Sequence, residues 1–248
     1  MDRIALSFLG GFSARLESGA VVAIPTRKAQ ALLAYLACSR VESHSRDYLA
    51  TIFWGDLPER QTRQSLRQTL YVLRLALASQ APSVLCGDAT SVWLDRSQLV
   101  VDAVDFERLV ATGTRRELEQ AVELYNGPFL AGIGAGDLEF EDWLRTERER
   151  LQEVAIGACR RLAEMQHAEG LNARAICTAQ RVLRIDPTEE SAYQMLMRLL
   201  LAEGRPVAAR RQYERCAQML QRELGIEPNT DTKNLLRAIS HALPTAKT

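Results

Sequence analysis

The hydrophobic period of this chain changes for good near Asp105, and that change limits the folds open to it. Before Asp105, short β-rich runs and helical runs follow one another. After it, strand signals vanish and helical spacing continues through the rest of the sequence. The pattern predicts an α+β segment over residues 1–105 and an all-α segment over residues 106–248.

In the first segment, RIALSFL and AVVAI, parted by the turn-like ESG, read as strands. In PTRKAQALLAYLACS, Thr26 is placed to cap a helix on which Ala29, Leu32, Leu33, Leu36 and Ala37 recur at helical spacing. SRDYLATIFW gives a second helix, with Ser45 as N-cap, Asp47 in the first turn, and Leu49, Ile52 and Phe53 inward. Gly55 and Pro58 then break the chain before a third helix over 60–77. SVLCGDATSVWLDRSQLVVD alternates and carries turn residues at Gly87–Asp88 and Asp95–Ser97, which predicts a hairpin or a three-stranded meander. Strands, three helices and a hairpin are the plan of a winged helix-turn-helix with an additional N-terminal sheet. Such a fold reads DNA with its third helix.

That third helix, RQTRQSLRQTLYVLRLAL, holds four arginines, three glutamines and no acid. At helical spacing Leu66, Leu70, Leu73 and Leu77 fall within about 60° of one another and form a buried stripe. Arg60, Arg63, Gln64, Arg67, Gln68, Tyr71 and Arg74 fill an arc of about 140° centred away from it. Arginine can bond guanine through two N–H groups, glutamine can do the same for adenine, and spare arginines can meet phosphates. A solvated basic helix would show the same composition; its place as third helix before a hairpin favours a reading head. Leu75 projects near the polar face, which suggests that the last turn packs on something.

The second segment repeats itself. Ala168-Glu169-Gly170 recurs as Ala202-Glu203-Gly204 after 34 residues, and Ala175 then matches Ala209. Tyr193, Leu196 and Leu200 stand where a tetratricopeptide repeat places its bulky first-helix residues. An array of such helix pairs presents a surface to another macromolecule.

Composition excludes several classes. Apolar residues make up 47% and charged ones 25%, as in ordinary soluble domains. MDRIALSFLGG lacks the form of a signal peptide, no window is long and apolar enough to span a membrane, and the last residues, ALPTAKT, are patternless. Five scattered cysteines without a CxxC pair fit the reducing cytosol. Net charge is zero, with 11 Lys and Arg against 10 Asp and Glu in 1–105, so any basic surface is local. GIGAG at 132–136 follows a helix-like run and precedes acids, which argues against a phosphate loop. His44, His167 and His241 are too scattered for a metal site, and no nucleophile or cofactor motif appears. Neither enzyme activity, a cofactor nor a small-molecule ligand is expected. DLEFEDWLRTERERL reads as a solvated helix with Leu138, Trp143 and Leu144 as apolar contacts.

LGGFSARL, PTRKAQALLAYLA, SRDYLATIFWGDLPERQTRQSLRQTLYVLRLAL, VWLD, LYNGPFLAG, FEDWLRTERERL and ELGIEPNTDT together resemble the bacterial transcriptional activator domain family, which includes the Streptomyces antibiotic regulatory proteins. The resemblance runs from about Ile4 to Ala238. It implies an OmpR-like winged helix joined to a tetratricopeptide-like activator domain, binding direct repeats in promoter DNA as side-by-side protomers and recruiting RNA polymerase. Carried over by position, the base readers are Arg63, Gln64, Arg67, Gln68 and Tyr71. Phosphate contacts fall to Arg60 and Arg74, to Arg46 and Trp54, and to Arg27 and Lys28 at the start of the first helix. The hairpin GDATSVWLD departs from the family in having no Lys or Arg at its tip, which puts minor-groove insertion in doubt. Many relatives continue into further domains, so a chain stopping at Thr248 fits a stand-alone regulator or part of a larger one. The competing reading is a protein–protein docking module whose winged helix has lost DNA binding.

Overall fold

A computed structural model describes residues 3–78, 83–134 and 136–242. Most of the tail ALPTAKT, and Ala135 of the 132–136 segment, lie outside the described residues. The chain sorts into two compact units, Met1–Ala111 with Glu123–Gln152, and Thr112–Val122 with Glu153–Thr248.

The first unit opens with β1 (Ile4–Ser7) and β2 (Ser13–Leu16), paired antiparallel from Ile4↔Leu16 to Ser7↔Ser13. AVVAI, expected as a strand, forms only an isolated bridge at Val21, while Val22 and Ile24 fill the core from irregular backbone. Three helices follow: α1 (Arg27–Cys38), α2 (Arg46–Trp54) and α3 (Glu59–Ala78). Thr26 caps α1 by accepting from Ala29 N at 3.1 Å, and Ser45 caps α2. Between α1 and α2 runs β3 (His44–Ser45), too short to announce itself in the sequence. β4 (Leu85–Gly87) and β5 (Ser91–Leu94) make the hairpin, and β3 pairs with β5 to give the order β3-β5-β4. The third run of the expected meander leaves this sheet. Asp95 caps a 3-10 turn at 96–98, and β6 (Leu99–Val101) joins β1 in parallel, giving the order β2-β1-β6. The two sheets and three helices are a winged helix-turn-helix with an N-terminal sheet.

This unit also takes in chain from beyond residue 105. Helices α4 (Asp102–Thr112) and α5 (Arg115–Leu124) lead to the segment 125–137 and the long α6 (Leu138–Ala168). Leu130 N donates to Phe8 O at 2.7 Å, and Gly10 N to Pro128 O at 3.2 Å. Gly10 has φ 107°, and a Cβ there would stand 3.1 Å from the Asn126 carbonyl carbon, so the close approach needs glycine. Phe140 meets Phe53 at 4.8 Å between ring centroids, and Trp143 meets Tyr35 at 4.7 Å. Phe140, Leu144 and Leu151 form the buried stripe of α6 in this unit, whereas Leu138 is 76% exposed. Its position, two residues before Phe140, turns it about 200° round the helix from that stripe.

In the second unit α7 (Asn172–Ile185), α8 (Glu190–Ala202), α9 (Pro206–Leu224) and α10 (Thr230–Ala242) pack in succession with the end of α6. The repeat has a physical basis. Gly170 and Gly204 both take the left-handed conformation that ends a helix, and Ala175 and Ala209 are both fully buried, where a larger side chain would part the helices. Tyr193, Met197 and Leu200 of α8 pack with Cys216 and Leu220 of α9 and Ile239 of α10. Ala163, Ala175 and Ala179 pack with Leu196 and Leu199.

Candidate nucleic-acid interface

α3 is docked by Thr62, Leu66, Leu70, Leu73 and Leu77, all buried. The Thr62 hydroxyl sits against the Trp54, Leu57 and Pro58 carbonyls at 3.1–3.2 Å, which fixes the start of the helix against the end of α2. The opposite face carries Arg60, Arg63, Gln64, Arg67, Gln68 and Tyr71 along one open groove, and Arg74 a turn further on, all exposed. Tyr71 is 61% and Leu75 59% exposed, so the last turns are open to solvent. Among the described residues Arg60, Arg67 and Arg74 make no hydrogen bond or ion pair.

Arg46 stands beside them. Its backbone N donates to Thr90 O at 2.8 Å and its Nε to Asp88 O at 2.9 Å, which ties the start of α2 to the hairpin tip. Partial burial lowers the pKa of its guanidinium, and the like charges of Arg74 and Arg67 add to that, against the pull of Asp88. Arg46, Arg63, Arg67 and Thr90, with one acid, Asp47, line a depression of about 480 Å³ at the first turn of α2. Three arginines against one acid at a helix N-terminus leave the depression suited to an anionic oxygen. The Asp88 carboxylate is taken up by its own turn. It accepts from Thr90 N and Ser91 N, both at 2.7 Å, and these bonds, with one from the Thr90 hydroxyl, hold it below the usual carboxylate range.

The remaining sequence candidates lie elsewhere. Arg27 is exposed on the first turn of α1. Trp54 is 8% exposed, with the Lys28 ammonium 5.1 Å from its ring centroid. Lys28 Nζ also donates to Phe53 O at 2.6 Å and pairs with the buried Asp137. The fold engages the Lys28 ammonium and buries Trp54, so neither is offered to a ligand as Arg67 is. Two residues escaped the sequence reading. Arg63 Nε donates to Asp47 Oδ1 at 3.1 Å, and Arg63 Nη2 lies 3.0 Å from Glu59 Oε1. The i,i+4 spacing of Glu59 and Arg63 was a usable signal; Asp47 belongs to another helix and gave none.

The model of the bacterial transcriptional activator domain matches residues 101–240, more than half of the chain. The protein belongs to that family. It is accordingly a transcriptional regulator, and its relatives agree over nearly the whole length. The transcriptional regulatory protein MoaR1 of Mycobacterium tuberculosis is 27% identical over 258 residues, covering 97% of this chain and 80% of its own. The regulatory protein AfsR of Streptomyces griseus is 23% identical over 222 residues, covering 86% of this chain and 22% of its own. The structure of Mycobacterium tuberculosis EmbR in complex with a low-affinity phosphopeptide superimposes with a TM-score of 0.75 at 22% identity, over 98% of this chain and 66% of that one. This regulator therefore spans about two thirds of the EmbR chain, and shares its fold. No helix among its described residues is long and apolar enough to cross a membrane.

Proposed function

We propose that this regulator binds promoter DNA sequence-specifically through α3 and activates transcription, with residues 1–105 on the DNA and 106–248 contacting RNA polymerase or a second protomer. The observation that carries the reading is the outer face of α3. Three exposed arginines without ion pairs among the described residues stand there beside Gln64, Gln68 and Tyr71, on a helix docked by a separate leucine stripe.

In this proposal Arg63, Gln64, Arg67, Gln68 and Tyr71 meet base edges, while Arg60, Arg74, Arg46 and Arg27 meet phosphates. Lys28 and Trp54 drop out, because the fold already uses them. A good bidentate base contact supplies about 1–3 kcal/mol of discrimination, and each phosphate contact adds sequence-independent, salt-sensitive affinity. Binding to direct repeats as side-by-side protomers follows the family resemblance. The hairpin tip brings no cation to the minor groove, so affinity rests on α3, Arg46 and Arg27. The work is done in the cytoplasm, with no cofactor and no catalysis.

The test is selection of binding sites from genomic fragments with the purified chain, followed by fluorescence anisotropy at two salt concentrations. A spaced direct repeat should emerge and be lost in Arg63→Ala/Arg67→Ala. Equal binding by the wild type and that variant pair would refute the reading and favour a docking module.

A further inference from the structure

We propose that Asp47 and Glu59 are positioning residues that set specificity: they turn the Arg63 guanidinium so that it presents its end to a guanine, and thereby fix one G·C position of the operator. The inference rests on the DNA-reading role of α3 and sharpens it.

A guanidinium carries five N–H donors in one plane. Nε donates to Asp47 Oδ1 at 3.1 Å, and Nη2 is 3.0 Å from Glu59 Oε1. The two acids thus engage the Nε and Nη2 atoms, which form the side edge of the fork. A base approaching side-on would need that edge. Nη1 has no partner among the described residues and is left for it; the end edge that Nη1 forms with Nη2 has the spacing that suits the O6 and N7 acceptors of guanine.

The first turn of a helix favours an acid, which accounts for the presence of Asp47 and Glu59 but not for their sharing one arginine. An acid on a DNA-facing surface repels phosphate and costs affinity. Asp47 and Glu59 nevertheless stand there with side chains 72% and 81% exposed, and both turn to one arginine. Arg60, Arg67 and Arg74 make no such pair among the described residues. Arg63 is therefore the arginine of this face whose charge is screened from phosphates and whose orientation is set beforehand. In water, exposed pairs of this kind bias an orientation only about two- to five-fold. At the interface, where water is displaced, the same contacts strengthen.

The experiment is site selection with the full chain, then anisotropy on the selected duplex and on duplexes changed at each position in turn. The proteins are the wild type, Asp47→Asn/Glu59→Gln and Arg63→Ala. The wild type should show a strong guanine preference at one position. The double acid variant should lose about three- to ten-fold of that preference there alone, and bind random duplex as tightly as before or more tightly. Arg63→Ala should abolish preference at that same position. Coincidence at one base pair is a result that a merely structural role could not produce. If the double variant keeps the guanine preference, or loses preference evenly across the site, the acids do not orient Arg63 and the inference falls alone. If the wild type selects no site, the DNA-reading role falls and takes the inference with it.

Discussion

Arg67 on α3 and Arg148 on α6 are the same residue type in the same compact unit, yet the fold treats them in opposite ways. Arg148 donates from Nε to Phe129 O at 2.8 Å and from Nη2 to Leu130 O and Ile133 O at 2.8 and 3.1 Å. It closes the turn in which Leu130 holds a positive φ of 49°, a conformation a leucine keeps only when its surroundings hold it there. Arg67 makes no such bond among the described residues and stands exposed, sharing a groove with Tyr71 and a depression with Arg46. Arginine content alone therefore says little about nucleic acid. What distinguishes an arginine available to a ligand is an account of its partners, and that account needs the fold.

The comparison is broken most severely from the interior side. Arg148→Ala leaves three backbone carbonyls of a tight turn without their donor, and should cost about 3 kcal/mol of unfolding free energy in chemical denaturation. DNA affinity per folded molecule should stay unchanged. If Arg148→Ala instead left stability intact and weakened DNA binding, the two arginines would not differ in the way their contacts imply.

Much of this was legible before any coordinates. The leucine stripe of α3, its basic outer face, the caps Thr26 and Ser45 and the 34-residue repeat all depend on spacing within one element, and spacing is what a sequence records. What was missed depends on contacts between elements. AVVAI alternates in burial as a strand does, but its pairing with β2 stops at the single bridge of Val21. Leu138 lies near Trp143 and Leu144 in sequence, yet helical geometry puts it on another face. Lys28 looked like a surface cation because Asp137, its partner, lies 109 residues away. The pairing of β6 with β1 has the same cause, since nothing in LVV names the strand it will join.

A smaller effect sharpens the comparison from the exposed side. Arg74 stands on the same face as Arg67, one turn beyond Tyr71, and differs only in what it is proposed to touch. Arg74→Ala should weaken binding to every duplex by about 1 kcal/mol and reduce the slope of log affinity against log salt by about 1, with the base preference intact. Arg67→Ala should instead narrow the gap between the selected duplex and random DNA. Anisotropy across a salt series separates the two outcomes, and identical profiles for both variants would mean that the whole face meets phosphate.

The least effect is expected at His44, which fits neither side of the comparison. Its ring is buried among Tyr35 and Tyr48, with centroids 5.4 and 6.4 Å away, and its Nε2 has no hydrogen-bond partner among the described residues. Burial lowers its pKa below 6.5, and the nearby Arg96 lowers it further, so the folded state holds the ring neutral. The unfolded chain takes up a proton near pH 6.5 and the folded chain does so only at lower pH. Stability is therefore full above pH 6.5 and declines as pH falls below it toward the folded-state value. His44→Phe keeps a ring in the aromatic site and removes the titration. Thermal melting at pH 8.0 and at about pH 5.5 should show the variant gaining on the wild type at the lower pH. An equal difference at both pH values would mean that the folded and unfolded chains take up the His44 proton alike, so that burial does not hold the ring neutral.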